Sequence, residues 1–143
     1  MTKKDSKTKK KSIVARYYLA LYDVWLVIAN EHTTVEDLKK RYVFSDGVVL
    51  NDEITGGCAT TSTCRDIKTD AYVVLVKYNG PAVNKELNPK TDFINTISHE
   101  ATHVALDIYE LIGQKVCTCS PEPFCYLVGW ATERIYETLK QIK

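Results

Sequence analysis

The sequence predicts an α+β domain, an antiparallel or mixed sheet of about 3–4 strands followed by two helices. Three observations lead there. Runs rich in Val, Ile, Tyr and Trp dominate the first eighty or so residues. Helical periodicity takes over from Asn88 to the C-terminus. The 143-residue length, with 45% hydrophobic and 26% charged residues, suits a single core.

In chain order, "MTKKDSKTKKK" (residues 1–11) carries six Lys against one Asp and is expected to be a disordered basic tail. Residues 12–143 form the domain. "SIVARYYLALYDVWLVIAN" reads as extended, either one long strand or a broken pair. In "TTVEDLKKRYVF" a short helix is expected, capped by Thr33 or Thr34, with Glu36 and Asp37 favourable near its positive end. "GVVLNDEI" suggests another strand, and the Gly, Ser and Thr of "TGGCATTSTCRDIKTD" suggest a flexible loop. "AYVVLVKYN" is the most strand-like segment and ends at the turn signal "NGP". "NPKTDFINTISHEATHVALDIYELIG" is helical up to its glycine. "SPEPFCYLVGWATERIYETLKQIK" then opens with Ser120 as N-cap and Pro121 at the first helical position. Trp25 and Trp130 are expected at or near the core.

Composition narrows the function classes. No apolar run reaches the roughly 18 residues that a membrane span requires, and no secretory signal is visible, so a cytoplasmic protein is expected. Without the tail the chain has 13 basic and 17 acidic residues, a mildly acidic body. Weak contact by the Lys-rich tail is the most that points to nucleic acid. Five cysteines, Cys58, Cys64, Cys117, Cys119 and Cys125, fit a complete disulfide framework badly and read as free thiols. A second metal site from the first four is conceivable, but their spacings differ from the usual zinc-ribbon pairs.

The informative stretch is "HEATH", residues 99–103. At about 100° per residue, Phe93, Ile94, Ile97, Ala101, Val104, Ala105, Ile108, Leu111 and Ile112 gather on one side of the helix. Asn95, His99, His103 and Glu110 lie on the other. The histidines therefore face a cleft, a partner or solvent. Residues four apart stand one above the other, which lets two imidazoles converge on one ion. Glu100 sits about 60° around the helix from His103, placed to take a proton from water on that ion. Asn95 or Asp107 is within helical reach of a histidine as an outer partner, Asp107 being expected as a solvated surface group. Random placement gives this pattern in roughly three chains per thousand; the amphipathic helix around it adds weight.

In "HEATH" the sequence resembles the zincin metallopeptidases with their HExxH helix. Tyr109 and Leu106 stand where the elongated metzincin signature has His and Gly, and His32 precedes the motif. What remains is similar to the gluzincin arrangement, in which a Glu on the next helix completes the site; "EPFCYL" (122–127) looks like that helix start. A looser resemblance, over residues 70 to 140, is to small phage or prophage-encoded metallopeptidases. The resemblance implies a peptidase for a peptide or protein substrate, with Zn2+ as cofactor and an edge strand pairing with the substrate. "AYVVLVKYN" is the candidate strand.

For the third ligand, Glu122 and Glu133 share the polar face of the second helix about 16 Å apart, so only one reaches a given ion. A tight helical hairpin favours Glu133. The resemblance favours Glu122, 19 residues after His103. Cys117 or Cys119 is a remote alternative. Tyr126, one turn after Glu122, is a candidate oxyanion donor or an aromatic at the cleft edge; Tyr109 has no stronger claim. The expected function is thus a zinc-dependent metallopeptidase. His99, His103 and Glu122 hold the metal, and Glu100 is the general base for a metal-activated water. The alternatives are a non-catalytic zincin-like module stabilised by metal, for binding or regulation, and a metal-free α+β interaction protein.

Overall fold

A computed structural model describes residues 10–45, 58–81, 86 and 88–140, and these form an α+β domain. Five strands make one mixed sheet in the order β1-β2-β5-β4-β3. β1 (Val14–Leu19) and β2 (Val24–Ala29) are an antiparallel pair. Of the two expected readings the extended run is the broken pair, joined by a turn where Asp23 takes a positive φ of 51°. α1 (Val35–Lys39) follows, with the Thr34 side chain accepting from the Asp37 N–H as its N-cap. It buries Val35 and Leu38 and leads into β3 (Tyr42–Phe44).

β4 (Ala59–Asp66) occupies half of the stretch expected to be a flexible loop. Its threonines are β-branched and fit a pleated surface, but their hydroxyls give the segment a loop-like composition. The described sheet therefore has five strands rather than about 3–4. The strand expected in "GVVLNDEI" and the tail before Lys10 lie outside the described residues.

β5 (Tyr72–Tyr78) is correctly a strand but is central, not an edge. It pairs parallel to β2 and antiparallel to β4, with both faces covered, which explains its near-continuous apolar run. Its polar exception is Lys77, 1% exposed, whose Nζ donates to Asn79 Oδ1 at 2.8 Å and to the Tyr78 carbonyl at 3.1 Å. Among the described residues the sheet edges are β1 and β3, so a strand adding to this part of the sheet would meet one of those rather than β5.

α2 (Pro89–Leu111) and α3 (Glu122–Leu139) cover one face of the sheet. Asn88 caps α2 by accepting from the N–H groups of Lys90 and Thr91, and Gly113, with φ 72°, turns the chain out of it. α3 starts one residue later than expected: Pro121 stands at the N-cap with no side-chain bond, and Ser120 instead donates its N–H to the Cys117 carbonyl at 3.2 Å.

Between the helices and the sheet lie Leu26, Ile28, Val74, Val76, Ile97, Val104, Ile108, Ile135 and Leu139, all at most 3% exposed. Each such side chain contributes about 1.5–3 kcal/mol on burial. Ala101, Ala105 and Ala131, fully buried, let the helices approach closely. The expected core face of α2 holds except at Ile94, which is 63% exposed near the start of the helix. Trp25 and Trp130 are half-buried against the two core clusters.

Candidate metal and proton-transfer site

α2 is wedged between β4 on one flank and α3 on the other. Glu100 and Tyr109 fall about 180° apart on its wheel. Glu100 is on the β4 flank, where the Thr61 hydroxyl donates to its Oε2 at 2.5 Å. Tyr109 is on the α3 flank, ring against ring with Phe124 at 5.3 Å. His99 and His103 lie on the outward stripe between these flanks, both exposed, as their helical phase requires. Their Nε2 atoms approach to 3.1 Å and their rings to 4.8 Å between centroids.

That convergence can be tested against zinc geometry. Zn–N bonds of about 2.0–2.1 Å in a tetrahedral site place two nitrogens roughly 3.3 Å apart. The observed 3.1 Å, which is also a hydrogen-bonding distance between the two rings, is close to this separation.

Glu100 is only 6% exposed although it belongs to a helix whose neighbouring histidines are open to solvent. Thr61, which holds it, comes from the strand that composition disguised as a loop. Period-two placement of Thr61 and Thr63 beside the Cys64 and Asp66 set is the signal that could have exposed it.

Asp107, one turn beyond His103, is half-buried rather than a solvated surface group. Burial is the main cause that raises its pKa to about 6; His103 pulls it down, while Glu110 and Glu100 add to the rise. Asn95 is exposed, and its carbonyl accepts from Ser98 Oγ at 3.1 Å.

The third-ligand candidates stand apart from this stripe. Tyr109–Phe124 and Phe93–Tyr136 ring contacts, at 5.3 and 6.3 Å, fix α2 and α3 as an antiparallel hairpin. In that register Glu133 is level with the His99 turn, and Glu122 lies near the C-terminal end of α2. Both are exposed, and Glu133 stands 3.9 Å from Arg134. Among the described residues no three His, Cys, Asp or Glu side chains are gathered as a metal group. Tyr126, 75% exposed, lines a groove with Leu19, Leu21 and Trp130 on the β1–β2 side of α3, the flank away from α2.

The cysteines do not form a four-thiol site among the described residues. Cys64 is buried beneath the α1 face, its thiol pushed up to about 12 chiefly by burial. Cys58 packs against the other cluster, and Cys117, Cys119 and Cys125 are exposed. Among the described residues, no helix is long and apolar enough to cross a membrane. No family model, curated protein or solved structure matches this chain.

Proposed function

We propose that the protein is a zinc-dependent metallopeptidase whose ion is held by His99 and His103, with Glu100 as the proton-transfer group. The observation that carries the reading is the 3.1 Å approach of two exposed Nε2 atoms, one residue away from a buried, anchored carboxylate. Zinc, when bound, supplies Lewis acidity toward a peptide carbonyl and toward water. The chain supplies the rest. Thr61 occupies Glu100 Oε2, which leaves Oε1 to accept a proton from water and return it to the leaving amine. The fixed carboxylate needs little reorganisation during the transfer. Glu122 is proposed as third ligand on the resemblance alone, and the hairpin register makes Glu133 its competitor.

The second reading is a metal-stabilised binding or regulatory module without turnover. It is favoured by the exposed positions of Glu122 and Glu133, away from the histidine stripe. Glu100→Gln separates the two. On a peptide library the first reading expects wild-type hydrolysis and a loss on the order of a hundredfold or more in the variant, with zinc retained. Absence of hydrolysis by zinc-loaded wild-type protein, or equal hydrolysis by the variant, removes Glu100 from a catalytic role.

A further inference from the structure

β1 pairs with β2 through all six residues, Val14–Leu19, without a bulge, and among the described residues no strand lies on its other side. The Ile13 carbonyl accepts from the Asn30 N–H at 3.0 Å, and the Ile13 N–H donates to Asn30 Oδ1 at 3.0 Å. Both backbone groups of this odd-numbered residue thus point toward β2. Alternation along an antiparallel strand then turns the N–H and C=O groups of Val14, Arg16 and Tyr18 outward. Edges are usually blunted by proline, a bulge or a very short strand. β3 has only three residues, whereas β1 has none of these devices and a single charge, Arg16.

We propose that this edge pairs with β1 of a second copy of the chain, antiparallel about a two-fold axis at Tyr17, so that two sheets join into one. Pairing requires outward-facing residues to oppose one another, and charge chooses among the registers that allow this. An axis at Arg16 sets two guanidiniums directly against each other, which is repulsive. Axes at Ala15 or Tyr18 set Arg16 against Val14 or Ala20, neither of which complements it. The axis at Tyr17 sets Arg16 against Tyr18 of the second copy, and the Tyr18 hydroxyl donates to Asp23 Oδ1 at 2.7 Å. Each guanidinium then meets an aromatic ring and a carboxylate.

Arg16, Tyr18 and Asp23 are all exposed, so the complementary groups are open to a second chain. The Arg16 Nε donates to the Tyr42 hydroxyl at 2.8 Å, which orients the guanidinium and leaves its terminal nitrogens for the partner. About four backbone hydrogen bonds close between the Arg16 and Tyr18 positions of the two copies. On the helix side of the sheet the same register sets Ala15 against Leu19. Leu19 lines the apolar groove with Leu21, Tyr126 and Trp130, where Leu21 is 78% exposed, so pairing also covers apolar surface. Neither histidine nor Glu100 lies on this edge, and the association stands apart from the zinc reading.

The test is sedimentation equilibrium of the full-length protein from roughly 1 to 100 μM, a range that brackets a micromolar Kd. The wild type should show a monomer–dimer equilibrium that EDTA leaves unchanged. Tyr18→Pro removes an outward N–H and spares the ladder to β2; Arg16→Asp sets a carboxylate against the Tyr18–Asp23 pair. Each should raise Kd at least tenfold with circular dichroism unchanged. Tyr17→Cys, in a Cys117→Ser/Cys119→Ser/Cys125→Ser background, should cross-link through position 17 on mild oxidation. A non-hydrogen-bonded pair there has Cα atoms about 4.5 Å apart, within disulfide range. A wild type that stays monomeric throughout, or a dimer that withstands both edge substitutions, overturns the proposal. So does a dimer that dissociates in EDTA, which would place a metal at the interface, or one that does not cross-link at position 17.

Discussion

The hydroxyl of Thr61 on β4 donates to Glu100 Oε2 on α2 at 2.5 Å, joining the central sheet to the helix that presents both histidines. This bond makes Glu100 a part of the core as well as of the candidate site, since the residue is only 6% exposed. Its removal should therefore register in stability and in activity together.

Thr61→Val keeps the shape and removes the donor. Leaving a buried carboxylate oxygen short of a partner should cost about 1–3 kcal/mol, read as a lower urea midpoint with an unchanged slope. If the proposed proton transfer operates, kcat should fall more than the zinc affinity does. A variant as stable as wild type would show that the bond contributes nothing to the fold.

The α2–α3 face of the sheet should be the more sensitive part of the core. Ile135 is 1% exposed within it, so Ile135→Ala should destabilise by about 2–5 kcal/mol through lost transfer energy and a residual cavity. Chemical denaturation measures this directly, and a loss well under 1 kcal/mol would mean that the two helices pack loosely.

Much of this core was legible beforehand. The period of α2 followed from its apolar positions, and β5 from its uninterrupted β-branched run, because burial dictates both patterns. β4 was not legible. Thr61, Thr63 and Ser62 satisfy a pleated strand through backbone pairing with β5 while presenting hydroxyls, so composition and conformation point different ways. Of the candidate site, the phase of His99 and His103 followed from helical geometry alone. The burial of Glu100 depends on β4 and was hidden with it. Distances from α2 to Glu122 and Glu133 depend on how two helices dock, which no single-helix pattern contains.

Acid should destabilise the opposite face of the sheet through Asp66. Burial raises its carboxyl pKa, but the Arg41 guanidinium, at 2.9 and 3.1 Å, and the Lys68 and Thr69 amides outweigh this and hold it below its ordinary value. A folded pKa lower than the unfolded one means that the stabilisation is complete above about pH 4 and is lost as pH falls through the folded value. Unfolding free energy measured from pH 7 to 2.5 should decline on this acid limb, and Asp66→Asn should flatten it while lowering stability at pH 7. An equally steep acid limb in the variant would place the effect in other carboxylates.

The third ligand is decided by two substitutions. Glu122→Ala should weaken zinc in a chelator competition by more than tenfold, whereas Glu133→Ala should stay near wild type, since a ligating carboxylate contributes both a bond and an offsetting charge. The reverse order would follow the hairpin register instead of the gluzincin resemblance.

Zinc stoichiometry of the protein purified without a metal-affinity tag tests the central claim most directly, read by native mass spectrometry after addition of one equivalent. The account predicts one zinc per chain in the wild type and in Glu100→Gln, and none in His99→Ala/His103→Ala. A wild-type chain that takes up no zinc, or a double variant that still binds it as tightly, would contradict the assignment of the histidine pair as a metal site.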